Sequence, residues 1–243
     1  MTYVFVGAVG FFLGLAAHDV ALQSLSDTTS LRPMAGTCVA CGSAQGWTRL
    51  RCVRCGVSMA RGPVVAIVTA AAAVGFLHTV GFEPVLVPYL VFLTLTSALV
   101  VTDLEAFRIV DRLNLAGTAV VTVLLVGAVA VTGTWSELLR ALGGATAYFT
   151  GAALLFIVVR GRGFGAGDVK LAPQLGLFTA YLGWGVLGWA VFATAMIGGF
   201  VALVLVMTGA AGRKTELPYG PPMILGAWSV IVLVGVGAIP IPS

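Results

Sequence analysis

Charge is the scarcest property of this chain. Asp, Glu, Lys and Arg together make up 9% of its 243 residues, against 59% hydrophobic residues. A soluble domain carries about 25% charged residues. So little charge cannot cover a water-facing surface, which excludes a soluble globular domain although the length alone would allow one or two. No nucleotide-binding loop and no redox motif stands out. The first segment lacks the basic start and the small-residue exit of a secretory signal peptide, so it is expected to be a retained span. What remains is a membrane bundle.

The apolar runs give the expected spans, each near the roughly 20 residues that cross a bilayer. They are Met1 to about Leu22, Pro63 to Phe82, Pro84 to Thr102, Leu113 to Gly133 and Leu138 to Val159. Leu171 to Gly212 holds no charged residue and is long enough for two spans, with the turn expected at Gly183-Trp184-Gly185. Leu217 to Ser243 supplies the eighth. The expected fold class is therefore all-α, a polytopic membrane protein of about eight transmembrane helices with one small polar insertion. Its organisation reads as residues 1–22, first helix; 23–62, polar cysteine-bearing segment; 63–243, membrane-embedded domain. Small-x3-small pairs, Ala141 with Ala145 and Ala147 with Gly151, suit close helix packing. Trp135, Trp184 and Trp228 include plausible interface anchors.

Basic residues set the orientation. Arg32, Arg49, Arg51, Arg54 and Arg61 lie between spans one and two, and Arg108 and Arg112 between three and four. Arg160, Arg162 and Lys170 follow span five, and Arg213 and Lys214 follow span seven. Twelve of the thirteen basic residues thus fall on one face and only Arg140 on the other. The expectation is a multi-pass protein of the cell membrane with the N-terminus outside and the odd-numbered connections cytoplasmic. The net charge of +4 is then a topology signal and gives no reason to expect nucleic acid.

The polar stretch from Ser24 to Gly62 contains all four cysteines. Cys38 and Cys41 form one C-x-x-C pair, Cys52 and Cys55 another, ten residues apart, as in a four-thiolate zinc ribbon. Gly42 and Gly56 follow the second cysteine of each pair, where a tight turn suits glycine. The alternative is two disulfides, which a reducing cytoplasmic location disfavours. Four thiolates leave no open coordination position, so zinc would be structural. A segment of this size buries little core unaided and benefits from such a staple.

Asp27, Glu83, Glu137 and Glu216 read as loop or cap residues. Asp103, Glu105 and Asp111 lie at the expected cytoplasmic end of span three, and Asp168 at the start of span six, behind the run Gly163, Gly165, Gly167. Ionisable groups near the bilayer are costly and often functional. The alternative is that they are interfacial helix caps favoured by the dipole, and that reading is kept for Glu105 and Asp111. Asp103 and Asp168 are expected at one membrane level and can face each other. Two carboxylates sharing a site hold a single proton between them and titrate as a unit. One activates water, and the other donates to the carbonyl oxygen of a scissile bond. Glycine before Asp168 leaves room for a peptide main chain.

At these residues the chain resembles a known family. Gly165-Ala166-Gly167-Asp168 fits the G-x-G-D motif of intramembrane aspartic proteases, and with Val169-Lys170-Leu171 it looks like bacterial type IV prepilin peptidases. "DLEAFRIVDRLNLAG" from Asp103 resembles that family's Asp-containing stretch, with Val110 where Pro is usual. "LPYGPPMILGA" from Leu217 resembles its Pro-Phe-Gly-Pro segment, and "RCVRCGVSMARGP" from Arg51 its second cysteine knuckle. The resemblance covers nearly the whole chain. It implies removal of short basic leaders from prepilins or pseudopilins at the cytoplasmic membrane surface, with Asp103 and Asp168 as the catalytic acids and Gly165, Gly167 and Lys170 on the substrate approach. Many members also N-methylate the new terminus with S-adenosylmethionine. The chain departs from the family where that activity is assigned: "GFFLGLAAHDVAL" replaces the usual Gly-Ser-Phe-Leu-Asn-Val pattern, and Gly62 stands where Tyr precedes Pro63. Retention and loss of methylation both stay open.

His18 and Asp19, at the inner end of span one, read as an interfacial pair, with leader binding as the alternative. Glu105 and Asp111 are the local counter-charges for a basic leader, since the basic face itself would repel one. Two readings from other classes remain: a proton-coupled transporter using the same acids, and a non-catalytic membrane scaffold recruiting a partner through the zinc ribbon. Within the enzyme class, a presenilin-like protease is the other choice, against which the cysteine knuckles and the segment before span four count.

Overall fold

The structure is a computed structural model and describes residues 1–25, 54, 61–106, 109–160, 164–208 and 219–239. The segment carrying Cys38, Cys41, Cys52 and Cys55 lies outside the described residues, as do Gly163, Arg213 and Lys214.

The described residues form eight helices in chain order: α1 Thr2–Leu25, α2 Arg61–Val80, α3 Leu86–Ala106, α4 Asp111–Thr132, α5 Trp135–Val158, α6 Ala166–Leu182, α7 Trp184–Met207 and α8 Gly220–Gly235. The described residues contain no strand. Six of the eight are long and apolar enough to cross a membrane. The two shorter ones are α6, with 17 residues, and α8, with 16; at 1.5 Å per residue each reaches about 25 Å. The expected count and order of helices hold, and the uncharged run breaks at Gly183 as expected.

Local chemistry explains the ends. Gly133 closes α4 in the left-handed conformation, φ 77°, and its N–H caps Val129 O, a backbone that favours glycine. Pro221 and Pro222 sit in the first turn of α8, where a missing N–H costs nothing. Arg140, alone on its side of the expected topology, donates to Ala180 O and Tyr181 O at 2.8 and 2.6 Å. It thereby serves the free carbonyls and negative end of α6.

The helices are apolar around their whole circumference, the pattern of membrane or deeply buried helices. Val123, Phe200 and Leu203 are exposed on the outside. Inside, backbones meet where side chains are smallest: a Cβ on Gly14 would lie 2.6 Å from Ala66 Cα, and one on Gly176 of α6 would run into the Gly144 carbonyl of α5. The centre of the bundle is aromatic. Phe92 stacks on Phe178 at 4.3 Å, and Tyr89 meets Phe178 edge-on at 4.8 Å while its hydroxyl donates to Phe178 O. Because α3 and α6 run in opposite directions, this plug lies about ten residues, or about 15 Å, from the end where Asp103 and Asp168 sit.

Candidate active site

The C-terminal end of α3 and the N-terminal ends of α4, α6 and α8 converge at one end of the bundle. Asp103, in the last turn of α3, and Asp168, in the first turn of α6, are both buried, each 6% exposed. The carboxylates lie within electrostatic reach of each other. The structure thus brings together the two acids singled out in the sequence.

Each acid is placed by a helix start. Asp168 is the third residue of α6; its Oδ2 accepts the Gly165 N–H at 2.8 Å, and its own N–H donates back to Gly165 O at 3.1 Å. It therefore caps its own helix and faces Asp103 at the same time. Cap and catalytic acid were alternatives in the sequence, and the geometry is compatible with one residue being both. Asp103 lies against the start of α8, where the Gly220 N–H faces its carboxylate. A Cβ on Gly220 would lie 2.8 Å from Asp103 Oδ2, so only glycine lets the two approach. Free N–H groups at a helix start interact favourably with negative charge. Oδ2 of Asp103 is buried and has no hydrogen-bond partner among the described residues, an acceptor left over for a proton or a water.

Ile109 ties these starts together. Added Cβ atoms on Gly167 and Gly220 would lie 3.1 Å from Ile109 Cβ and 3.4 Å from its Cδ1. The room beside Gly167 is thus filled by Ile109, while a Cβ on Gly165 would meet Asp168 Oδ2 itself at 3.3 Å.

Around the acids lies polar support that sequence reasoning missed. Asn114 Nδ2 donates to Lys170 O at 2.9 Å, and Gln174 Nε2 donates to Asn114 Oδ1 at 2.8 Å. Both amide side chains are fully buried, and Pro173 interrupts the α6 ladder beside them. Two amides within apolar helices were the available signal. Lys170 Nζ pairs with Asp111 Oδ2 at 2.7 Å, with both side chains well exposed. Asp111 therefore already has a cation, and Glu105 sits half-buried two residues past Asp103. His18 and Asp19 are buried beside each other at 4.0 Å, with the His18 ring near Gly62. The described residues hold no grouping of three or more His, Cys, Asp or Glu able to bind a metal.

Residues 90–211 match the family model described as the type IV leader peptidase family. The matched stretch contains Asp103, Asp168, most of α3 and all of α6, and ends before Tyr219 and Gly220. No curated protein matches, and no solved structure matches.

Proposed function

As the chain belongs to the type IV leader peptidase family, we propose that it is an intramembrane aspartic endopeptidase that removes leaders from type IV prepilins or pseudopilins at the cytoplasmic membrane face. The observation that carries this reading is the pair of buried carboxylates, Asp103 and Asp168, held against two helix starts at one end of an apolar bundle. In the reaction, the ionised acid takes a proton from a water as the water oxygen bonds the scissile carbonyl carbon. The protonated acid gives its proton to the carbonyl oxygen. Collapse of the resulting gem-diol returns one hydroxyl proton to the ionised member of the pair, re-forms the C=O and breaks the C–N bond. The leaving amine takes up a proton from the pair. Helix N-termini that favour anions, and a dry apolar floor, let one proton shared by two acids do this work.

The aromatic plug supports this reading over transport. A proton pathway needs a polar route through the bundle, whereas Phe92, Phe178 and Tyr89 close its centre below the acids. Zinc held by Cys38, Cys41, Cys52 and Cys55 belongs to the same reading as a structural ion, and S-adenosylmethionine as the methyl donor if the product is methylated. Membrane lipid and the pilin precursor are the partners. Co-expression with candidate prepilins, followed by mass measurement of the product N-terminus, tests the proposal. A terminus at the start of the pilin's apolar helix supports it, one methyl group of added mass reports the second activity, and uncut precursors contradict it.

A further inference from the structure

Ile109 is 7% exposed and precedes the first residue of α4 by two positions. Its side chain is wedged between two helix starts. A Cβ on Gly167, in the first turn of α6, would lie 3.1, 3.4 and 3.5 Å from Ile109 Cβ, Cγ1 and Cδ1. A Cβ on Gly220, the first residue of α8, would lie 3.4 Å from the same Cδ1 and 2.8 Å from Asp103 Oδ2. Asp168 follows Gly167 directly. One aliphatic side chain therefore fills the room beside the segment that carries one acid and beside the segment that holds the other.

Ile109 has little freedom to give way. A β-branched side chain is stiff at χ1, and close-packed interiors transmit a displacement instead of absorbing it. The chain just past Ile109 is also fastened to α6. Asp111 Oδ2 accepts the Lys170 Nζ at 2.7 Å, and Asn114 Nδ2 donates to Lys170 O at 2.9 Å. Asn114 is fully buried, and its own N–H closes the first turn of α4 on Val110 O at 2.9 Å. The buried amide is the firmer tie, since exposed ion pairs hold little. Lys170 stands two residues beyond Asp168 on the same helix, so the wedge and that acid are fixed to one rigid element.

On sequence grounds the glycines before Asp168 make room for a peptide main chain. At Gly167 the chain's own Ile109 takes that room, and at Gly165 the neighbour is Asp168 Oδ2. The absence of a side chain at Gly167 thus has a partner inside the protein.

We propose that Ile109 is a positioning residue, the spacer that sets how far the Asp168 end of α6 stands from Asp103, and that Gly167 is glycine to admit it. The proposal rests on the peptidase reading and adds to it a residue that acts through both acids. Two acids that share one proton across a scissile bond need a fixed separation, and about 1 Å of misplacement costs on the order of 100-fold in rate.

The test sets added volume against removed volume. Gly167 lies in α6 without a left-handed φ, so its backbone admits alanine. Carbon contacts settle near 3.5–4.0 Å, so the new methyl group asks for about half an ångström. In Gly167→Ala, kcat for a purified prepilin in bilayers should fall about tenfold, with KM nearly unchanged. Ile109→Ala, which leaves the starts unspaced, should also lower kcat at least tenfold, whereas Ile109→Val should stay within threefold of wild type. Gly167→Ala combined with Ile109→Ala should regain activity above either single variant, because the crowding of one relieves the gap of the other. Thermal unfolding of each variant separates loss of rate from loss of fold; if Ile109→Ala does not fold, the kcat and KM of Gly167→Ala decide alone. Wild-type protein that cuts no pilin precursor would overturn the peptidase reading. Protein that does cut would overturn the spacer, and leave that reading intact, in either of two results. One is a Gly167→Ala variant with raised KM and wild-type kcat, which would place substrate beside Gly167. The other is a folded double variant no more active than the weaker single.

Discussion

Gly220→Ala separates catalysis from stability at one atom. The new Cβ would stand 2.8 Å from Asp103 Oδ2 and 3.4 Å from Ile109 Cδ1. Non-bonded carbon contacts settle near 3.5–4.0 Å, so the carboxylate must retreat by about 0.7 Å. It is the free end of a side chain and moves without disturbing α3. A misplacement of about 1 Å costs on the order of 100-fold in rate. The expected loss in kcat is therefore 10- to 100-fold, about 1.4–2.7 kcal/mol of barrier. Stability should stay level or rise, because Gly220 opens α8 without a left-handed φ and alanine is the better helix former. Cleavage of a prepilin by the purified variant in bilayers, set beside its thermal unfolding, gives both numbers. Wild-type kcat in the alanine variant would refute the reasoning, since it would show that Asp103 does not act from the position seen here.

Three further outcomes follow from the same structure. Asn114→Leu strands the buried Gln174 Nε2 without its acceptor and removes the side-chain donor to the Lys170 carbonyl, at about 1–3 kcal/mol for the stranded amide; unfolding should show the loss, and Asn114→Leu with Gln174→Leu should cost less than the two singles added together. Purified full-length protein should carry about one zinc per chain by metal analysis, and Cys38→Ser with Cys41→Ser should remove it; a metal-free wild type with two disulfides would contradict the zinc ribbon. Glu105→Gln with Asp111→Asn should raise KM for a basic leader no more than several-fold, an effect that shrinks with salt, because exposed pairs are worth at most about 1 kcal/mol and Asp111 is already engaged by Lys170.

Length and charge made the helices legible: uncharged runs, the glycine break at 183 and the basic connections are local signals that one dimension carries intact. Asp103 and Asp168 were legible for the same reason, as acids at the mouths of apolar runs. The meeting of distant surfaces was not. Gly220 and Asp103 are far apart in the chain, and only the packing of α8 on α3 shows that this glycine leaves space for a carboxylate. Ile109 reads as a connecting residue until Gly167 and Gly220 are seen to close on it. Asn114 and Gln174 are ordinary amides in sequence and become a pair only across α4 and α6. Asp111 looked like a free counter-charge because Lys170 stands on another helix. Ala147 and Gly151 carry the spacing of a packed helix pair, yet both are exposed among the described residues, which spacing alone does not say.

The central claim is that Asp103 and Asp168 act as one catalytic pair. The direct test is the rate of leader removal from a purified prepilin by Asp103→Asn and Asp168→Asn proteins in bilayers, read as product mass and accompanied by a check that each variant unfolds like wild type. The account predicts that each single substitution abolishes cleavage in a folded protein. Normal leader removal by either variant would contradict it.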